Sequence, residues 1–237
     1  MSQQQWTAVD DYITSVLLEP DEALDAALGS SAAAGLPPIA VSPAQGKLLN
    51  LLARMMNARR ILEFGTLGGY STIWLARALP PDGRLITLES VRKNAEVASA
   101  NIARAGLADL VDVRVGAALD TVPRVAEDIG GELFDLVFID ADKPHNADYF
   151  AWSVRLTRPG GVIIVDNVVR GGNVVDEDTT DPNVQGVRRL NEVMAADPSV
   201  SATTIQTVGA KGYDGFAIAV VGQSAEPRTC GTGPDTT

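Results

Sequence analysis

Apolar positions along the chain follow two periods. Trp6, Val9, Ile13, Val16 and Leu17 recur at helical spacing, and the alanine-rich stretch from Asp21 to Ala34 carries Leu24 and Leu28. Two helices are therefore predicted at the start of the chain. Gly35-Leu36-Pro37-Pro38 ends the second. A third helix starts at Ser42-Pro43, where serine suits the N-cap and proline the first helical position. Its apolar face is Leu48, Leu49, Leu51, Leu52, Met55 and Met56. From there short apolar runs alternate with helical stretches. Strands are predicted over 60–64, 84–88, 109–115, 134–140, 162–165, 200–208 and 216–221. Helices are predicted from Thr72 to Leu79, over 94–105 and 117–129, after Lys143 as far as Leu156, and over 183–196.

Strands that alternate with helices give an α/β fold, a Rossmann-like doubly wound sheet, mostly parallel, with helices on both faces. Pro80-Pro81-Asp82-Gly83, Arg158-Pro159-Gly160-Gly161 and Lys211 to Gly215 read as turns or loops, and residues 170–182 as a polar loop. Residues 1–40 stand ahead of the main domain at 41–222. They could cover a site, meet a second subunit or pack on the core, and the sequence leaves these open. Residues 223–237 lack apolar periodicity, and a disordered tail is expected.

The stretch from Ile61 to Ala76 carries the first candidate chemistry. A buried strand, a glycine-rich turn and a helix open a nucleotide-binding βαβ unit. The G-x-G-x-x-G pattern of dinucleotide sites fails, because position 67 is leucine. The residues instead read Glu63-x-Gly65-x-x-x-Gly69. This resembles the first motif of the class I methyltransferases that use S-adenosylmethionine. An acid near the turn suits that cofactor's cationic amino-acid tail better than a phosphate. Glu89 ends the second strand, 24 residues after Gly65, where such folds hydrogen-bond a ribose.

Charge and composition narrow the partners. The 237 residues are 46% hydrophobic, which supports a substantial core, and the formal net charge is −11. So acidic a chain is a poor match for nucleic acid or an anionic membrane. The single cysteine, Cys230, excludes an intrachain disulfide. No signal peptide and no membrane-length apolar run is seen, so a soluble cytoplasmic protein is expected.

Ligands bind at the carboxyl ends of strands in open α/β sheets. Asp140, Asp142 and Lys143 follow the fourth strand, and Asp166-Asn167 follow the fifth. The oxygens of Asp140, Asp166 and Asn167 would suit a hard cation such as Mg²⁺. With Phe138-Ile139-Asp140-Ala141-Asp142-Lys143 and Val165-Asp166-Asn167, the chain resembles the cation-dependent O-methyltransferases, the family of catechol and caffeoyl-CoA O-methyltransferases. Val41-Ser42-Pro43-Ala44-Gln45-Gly46 and Tyr213-Asp214-Gly215-Phe216 are similar to further family segments, and the similarity covers roughly residues 36–222.

The resemblance implies Asp140, Asp166 and Asn167 as metal ligands and Lys143 as the general base. It implies cofactor contacts at Val41, Glu63, Gly65, Thr66, Ser71, Glu89, Ala118, Asp140 and Asp142, and it places Asp214 near the acceptor. It also implies a seven-stranded sheet with the last strand antiparallel, a small catechol-type acceptor and a homodimer. Val168-Val169-Arg170-Gly171-Gly172 lacks the tryptophan found there in plant caffeoyl-CoA enzymes, and residues 176–181 are acidic. Both features weigh against a CoA-thioester acceptor. His145, the only histidine, is left outside the catalytic set. A metal-independent methyltransferase is the alternative. An NAD-dependent oxidoreductase is less favoured, lacking both the dinucleotide glycines and an obvious Tyr-x-x-x-Lys.

Overall fold

The computed structural model describes residues 2–222, so the tail expected at 223–237 lies outside the described residues. Helices α1 (Gln3–Leu17), α2 (Glu22–Ala33) and α3 (Pro43–Met55) precede β1 (Arg60–Phe64). Then follow α4 (Tyr70–Ala76), β2 (Arg84–Glu89), α5 (Arg92–Arg104), β3 (Val111–Val115), α6 (Ala118–Asp128) and β4 (Phe134–Ile139). The chain continues through α7 (Asn146–Leu156), β5 (Thr157–Asp166), α8 (Pro182–Ala196), β6 (Val200–Gly209) and β7 (Gly212–Val221).

The seven strands form one sheet in the order β3-β2-β1-β4-β5-β7-β6. Only β7 runs against its neighbours, being antiparallel to both β5 and β6. From β1 the chain winds outward through β2 and β3, then returns to place β4 on the other side. The crevice at this reversal, between β1 and β4, is where a doubly wound sheet binds its ligand.

Both central strands are buried on both faces, and their apolar side chains divide by the two-residue period. Leu62, Phe64, Val137 and Ile139 pack with Val122, Phe150, Val187 and Leu190 from α6, α7 and α8. Ile61, Leu136 and Phe138 pack on the opposite face with Leu49, Ala53, Ile73, Leu75 and Ile102. Burial of each such side chain stabilises the fold by roughly 1.5–3 kcal/mol. Caps fix the helix starts. Asp21 accepts the N–H groups of Ala23 and Leu24 and pairs with Arg77, which caps the end of α4, so α2 is fastened to the helix that follows β1.

Two segments differ from the expected pattern. Residues 158–161 form a bulge inside β5 rather than a separate turn before it: Phe134 pairs with Thr157, and Leu136 with Val162. The Arg158 guanidinium closes the bulge by donating to Asp135. Likewise β7 begins at Gly212, because residues 212–215 pair with 206–209 of β6. Among the described residues no helix is long and apolar enough to cross a membrane.

Candidate active site

The turn after β1 is built by close backbone approach. Gly65 has φ +91°, and a Cβ there would lie 2.2 Å from the carbonyl oxygen of Asp140. Only glycine lets the ends of β1 and β4 meet this way. A Cβ on Gly68 would lie 2.0 Å from Ser31 Oγ, so α2 sits directly on the turn.

Glu63 stands beneath the turn. It is fully buried, and its carboxylate accepts hydrogen bonds from Ser71, Thr72 and Thr87 at 2.7, 2.5 and 2.7 Å. Burial pushes this carboxyl up to about 7, partly offset by the three hydroxyls and reinforced by the charge of Asp140. Glu89 braces the same turn from β2. One carboxylate oxygen accepts Leu67 N–H and the other Val91 N–H, each at 2.8 Å.

The second pole lies at the ends of β4 and β5. Lys143 opens a short 3-10 turn and donates from Nζ to Asp140 Oδ1 at 2.8 Å. Gly186 of α8 presses on this turn so closely that a Cβ there would lie 2.1 Å from the Lys143 carbonyl oxygen. Asp166 is buried, and its carboxyl is pushed up to about 7, first by burial and then by the charge of Asp140. Lys143, the Asn167 N–H and Gln45 act in the opposite direction. Asn167 adopts the left-handed conformation, with φ +56°, and its N–H donates to Asp166 Oδ1 at 2.8 Å.

The charge of Asp140 raises the proton affinity of the buried Asp166 carboxylate, and a bound cation would offset that repulsion. Asp140, Asp166 and the Asn167 amide offer oxygen donors, the chemistry that a hard divalent ion takes. Among the described residues no group of three His, Cys, Asp or Glu could hold a metal.

A cavity of about 950 Å³ joins the two poles. Of the residues expected at the site, Val41, Gly65, Thr66, Ser71, Glu89, Ala118, Asp140, Asp142, Lys143 and Asn167 all line it. Three expected residues do not. Glu63 is occupied by its hydroxyl partners below the turn, and Asp166 is buried. Asp214 is directed at backbone: its Oδ1 accepts the N–H groups of Val169 and Arg170 at 2.9 Å and of Gly215 at 3.0 Å. Those bonds hold the loop after Asn167.

Other wall residues carried no clear signal in the sequence. Tyr149 lines the cavity and donates from its hydroxyl to Asp142, which also pairs with His145. Burial and the Asp142 carboxylate push the Tyr149 phenol upward. Seven positions after Asp142, it falls at helical spacing, a weak cue. Leu28 and Ser31 of α2, with residues 36–41, form a further wall of the cavity.

Comparison with known proteins agrees with this architecture. Residues 18–217 match the model of the O-methyltransferase family. A catechol O-methyltransferase of Niastella koreensis is 54% identical over 221 residues, covering 93% of this chain and 100% of that protein. A catechol O-methyltransferase of Mycobacterium tuberculosis is 55% identical over 213 residues, covering 90% and 94% respectively. The crystal structure of the Bacillus cereus O-methyltransferase, in complex with S-adenosylhomocysteine, has a TM-score of 0.91 at 55% identity, covering 93% of this chain and 100% of that one. With the match running through both poles of the cavity, the chain belongs to the O-methyltransferase family.

Proposed function

We propose that this enzyme transfers the methyl group of S-adenosylmethionine to one hydroxyl of a small catechol-type acceptor, with a divalent cation at Asp140, Asp166 and Asn167. Mg²⁺ is the first candidate. The observation that carries this reading is the single cavity running from Glu89 to Lys143 and Asn167. A nucleoside-bearing donor fits the first pole and a metal-chelating acceptor the second.

Glu89 keeps lone pairs free for ribose hydroxyls while its bonds to Leu67 and Val91 fix its direction. Val41 and Ala118 offer apolar surface to the donor. Asp140 stands between the poles, where a carboxylate favours a cationic donor. When bound, the cation would hold both oxygens of a diol and stabilise the phenolate.

Lys143 accepts the hydroxyl proton at Nζ. Its bond to Asp140 fixes where that nitrogen lies. The phenolate oxygen then forms a bond to the methyl carbon as the carbon–sulfur bond breaks, and S-adenosylhomocysteine leaves. Apart from base and charge stabilisation, the wall contributes orientation, which can be worth several kcal/mol. A small acceptor is preferred to a CoA thioester because the chain is strongly acidic.

We also propose a homodimer. Tyr12 and Val16 on α1 and Met55 on α3 are exposed apolar side chains on helices that touch each other, available to a second copy. Sedimentation measures this directly.

The chemistry is tested by incubating the protein with S-adenosylmethionine, Mg²⁺ and catechol, then quantifying products by mass spectrometry. The expected result is a monomethyl ether and S-adenosylhomocysteine in equal amounts. Methylation of a monohydroxy acceptor but of no diol would contradict the proposed acceptor class.

A further inference from the structure

Three basic side chains line the cavity, and two of them are paired. Lys143 bonds Asp140, and His145 bonds Asp142. The third is Arg170. Among the described residues its guanidinium makes no hydrogen bond or ion pair, and its Nε is shut off from solvent without a partner. Two acids lie nearby, and neither satisfies it. Asp214 accepts only the backbone N–H of Arg170, and Asp181, exposed at the start of α8, senses its charge from a distance.

Arg170, whose guanidinium no group pairs among the described residues, lines the cavity and can take an acceptor from a ligand there. The planar fork of arginine matches a carboxylate in particular.

The backbone supports the same conclusion. Arg170 adopts φ +56°, a left-handed conformation that disfavours residues with a Cβ. Asp214 holds it there through the Val169 and Arg170 N–H groups. Strain that the surrounding structure maintains is found at ligand sites. Arg170 lies three residues after Asn167 in one loop, and both line the cavity, so its charge belongs to the acceptor pole. In a chain of net charge −11, a local cation offsets the general repulsion that an anion meets.

We propose that Arg170 binds an anionic substituent on the acceptor, making the preferred substrate a vicinal dihydroxyarene that carries a carboxylate on its ring or a short side chain. Neutral catechols and catecholamines are the weaker acceptors. This rests on the methyl-transfer reading above, which places the acceptor at the Asp140–Asn167 pole.

The test compares protocatechuate, catechol and dopamine. Binding to the full-length protein saturated with S-adenosylhomocysteine and Mg²⁺ is followed by NMR titration, and KM and kcat are measured in parallel. The wild type should bind the acid about 10- to 100-fold more tightly than the amine, the range expected for a charge-assisted hydrogen bond. The preference should appear in KM. Arg170→Gln should bring that ratio close to one, and Arg170→Lys should restore part of it, since both variants keep a long side chain at the strained position.

Equal binding of all three probes by the wild type, or a preference that survives Arg170→Gln, overturns the inference. Methylation of catechol without preference for the acid would overturn the inference and leave the methyl-transfer reading standing. Arg170-dependent binding of the acid without methylation would do the reverse.

Discussion

The side-chain amide of Asn101 donates from Nδ2 to the carbonyl oxygen of Gly68 at 2.8 Å, from a fully buried position on α5. Its Oδ1 accepts from Ser30 on α2 and from Arg104. One side chain thus ties α2 and α5 to the glycine turn. Asn101→Ala leaves buried groups unpaired, and a stability loss of about 2–4 kcal/mol is expected. The KM for S-adenosylmethionine should rise roughly tenfold, on the order of 1.4 kcal/mol, with kcat changed far less. A lowered melting temperature with unchanged KM would assign Asn101 to helix packing alone.

Lys143 is expected to act in chemistry rather than in binding. Lys143→Met should lower kcat by about 100- to 10,000-fold, the range for loss of a general base. S-adenosylhomocysteine affinity, read by calorimetry, should stay within a few-fold. Arg cannot take up the proton, so Lys143→Arg should not rescue turnover. Near-normal kcat in either variant would remove Lys143 from the mechanism.

Asp214 separates a positioning role from direct contact. Asp214→Asn keeps an oxygen that can accept the three backbone N–H groups, whereas Asp214→Ala leaves Val169, Arg170 and Gly215 unbonded there. The alanine variant should lose about 1–3 kcal/mol of stability and much of its Mg²⁺ affinity, because the loop carrying Asn167 loosens. The asparagine variant should lose little of either. Equal loss of acceptor binding in both variants would favour contact between the Asp214 carboxylate and the acceptor.

Buried carboxyls predict a pH dependence. Glu63 and Asp166 are both raised to about 7, chiefly by burial, from ordinary values of 4.5 and 3.8. Between those limits the folded protein binds more protons than the unfolded chain. Their contribution is therefore complete below the ordinary values and is lost as pH rises through 7. Asp21, held low by its bond to Arg77, acts in the opposite sense and destabilises the fold as pH falls below about 4. Chelator-treated protein should melt highest near pH 5 and lose on the order of 1–3 kcal/mol by pH 8. Mg²⁺ should offset that loss by favouring ionised Asp166, and Glu63→Gln should flatten the curve. A constant melting temperature from about pH 5 to 8 would contradict the burial argument.

Much of this was legible in the sequence, for physical reasons. β1, β4 and the 162–165 part of β5 are nearly continuous apolar runs because helices cover both faces, and the acids near their ends fall on one rim because parallel strands end together. The broken dinucleotide pattern at Leu67 already pointed away from a pyrophosphate.

Long-range partners were not legible. Glu63 points beneath the turn because Thr72 and Thr87 supply hydroxyls from α4 and β2. Asp214 turns toward backbone because the loop after Asn167 presents its N–H groups there. Residues 158–161 have the composition of a turn, yet pairing between β4 and β5 resumes after them, which makes a bulge. The unpaired state of Arg170 appears only when its neighbours are in place.

The most direct measurement is transfer of labelled methyl from S-adenosylmethionine to a vicinal diol in protein stripped by chelator and then supplied with Mg²⁺, for the wild type and for Asp166→Ala. Turnover should disappear on stripping and return with Mg²⁺ in the wild type only, while S-adenosylhomocysteine still binds both proteins. Undiminished turnover in the stripped wild-type protein would contradict a cation at Asp140, Asp166 and Asn167.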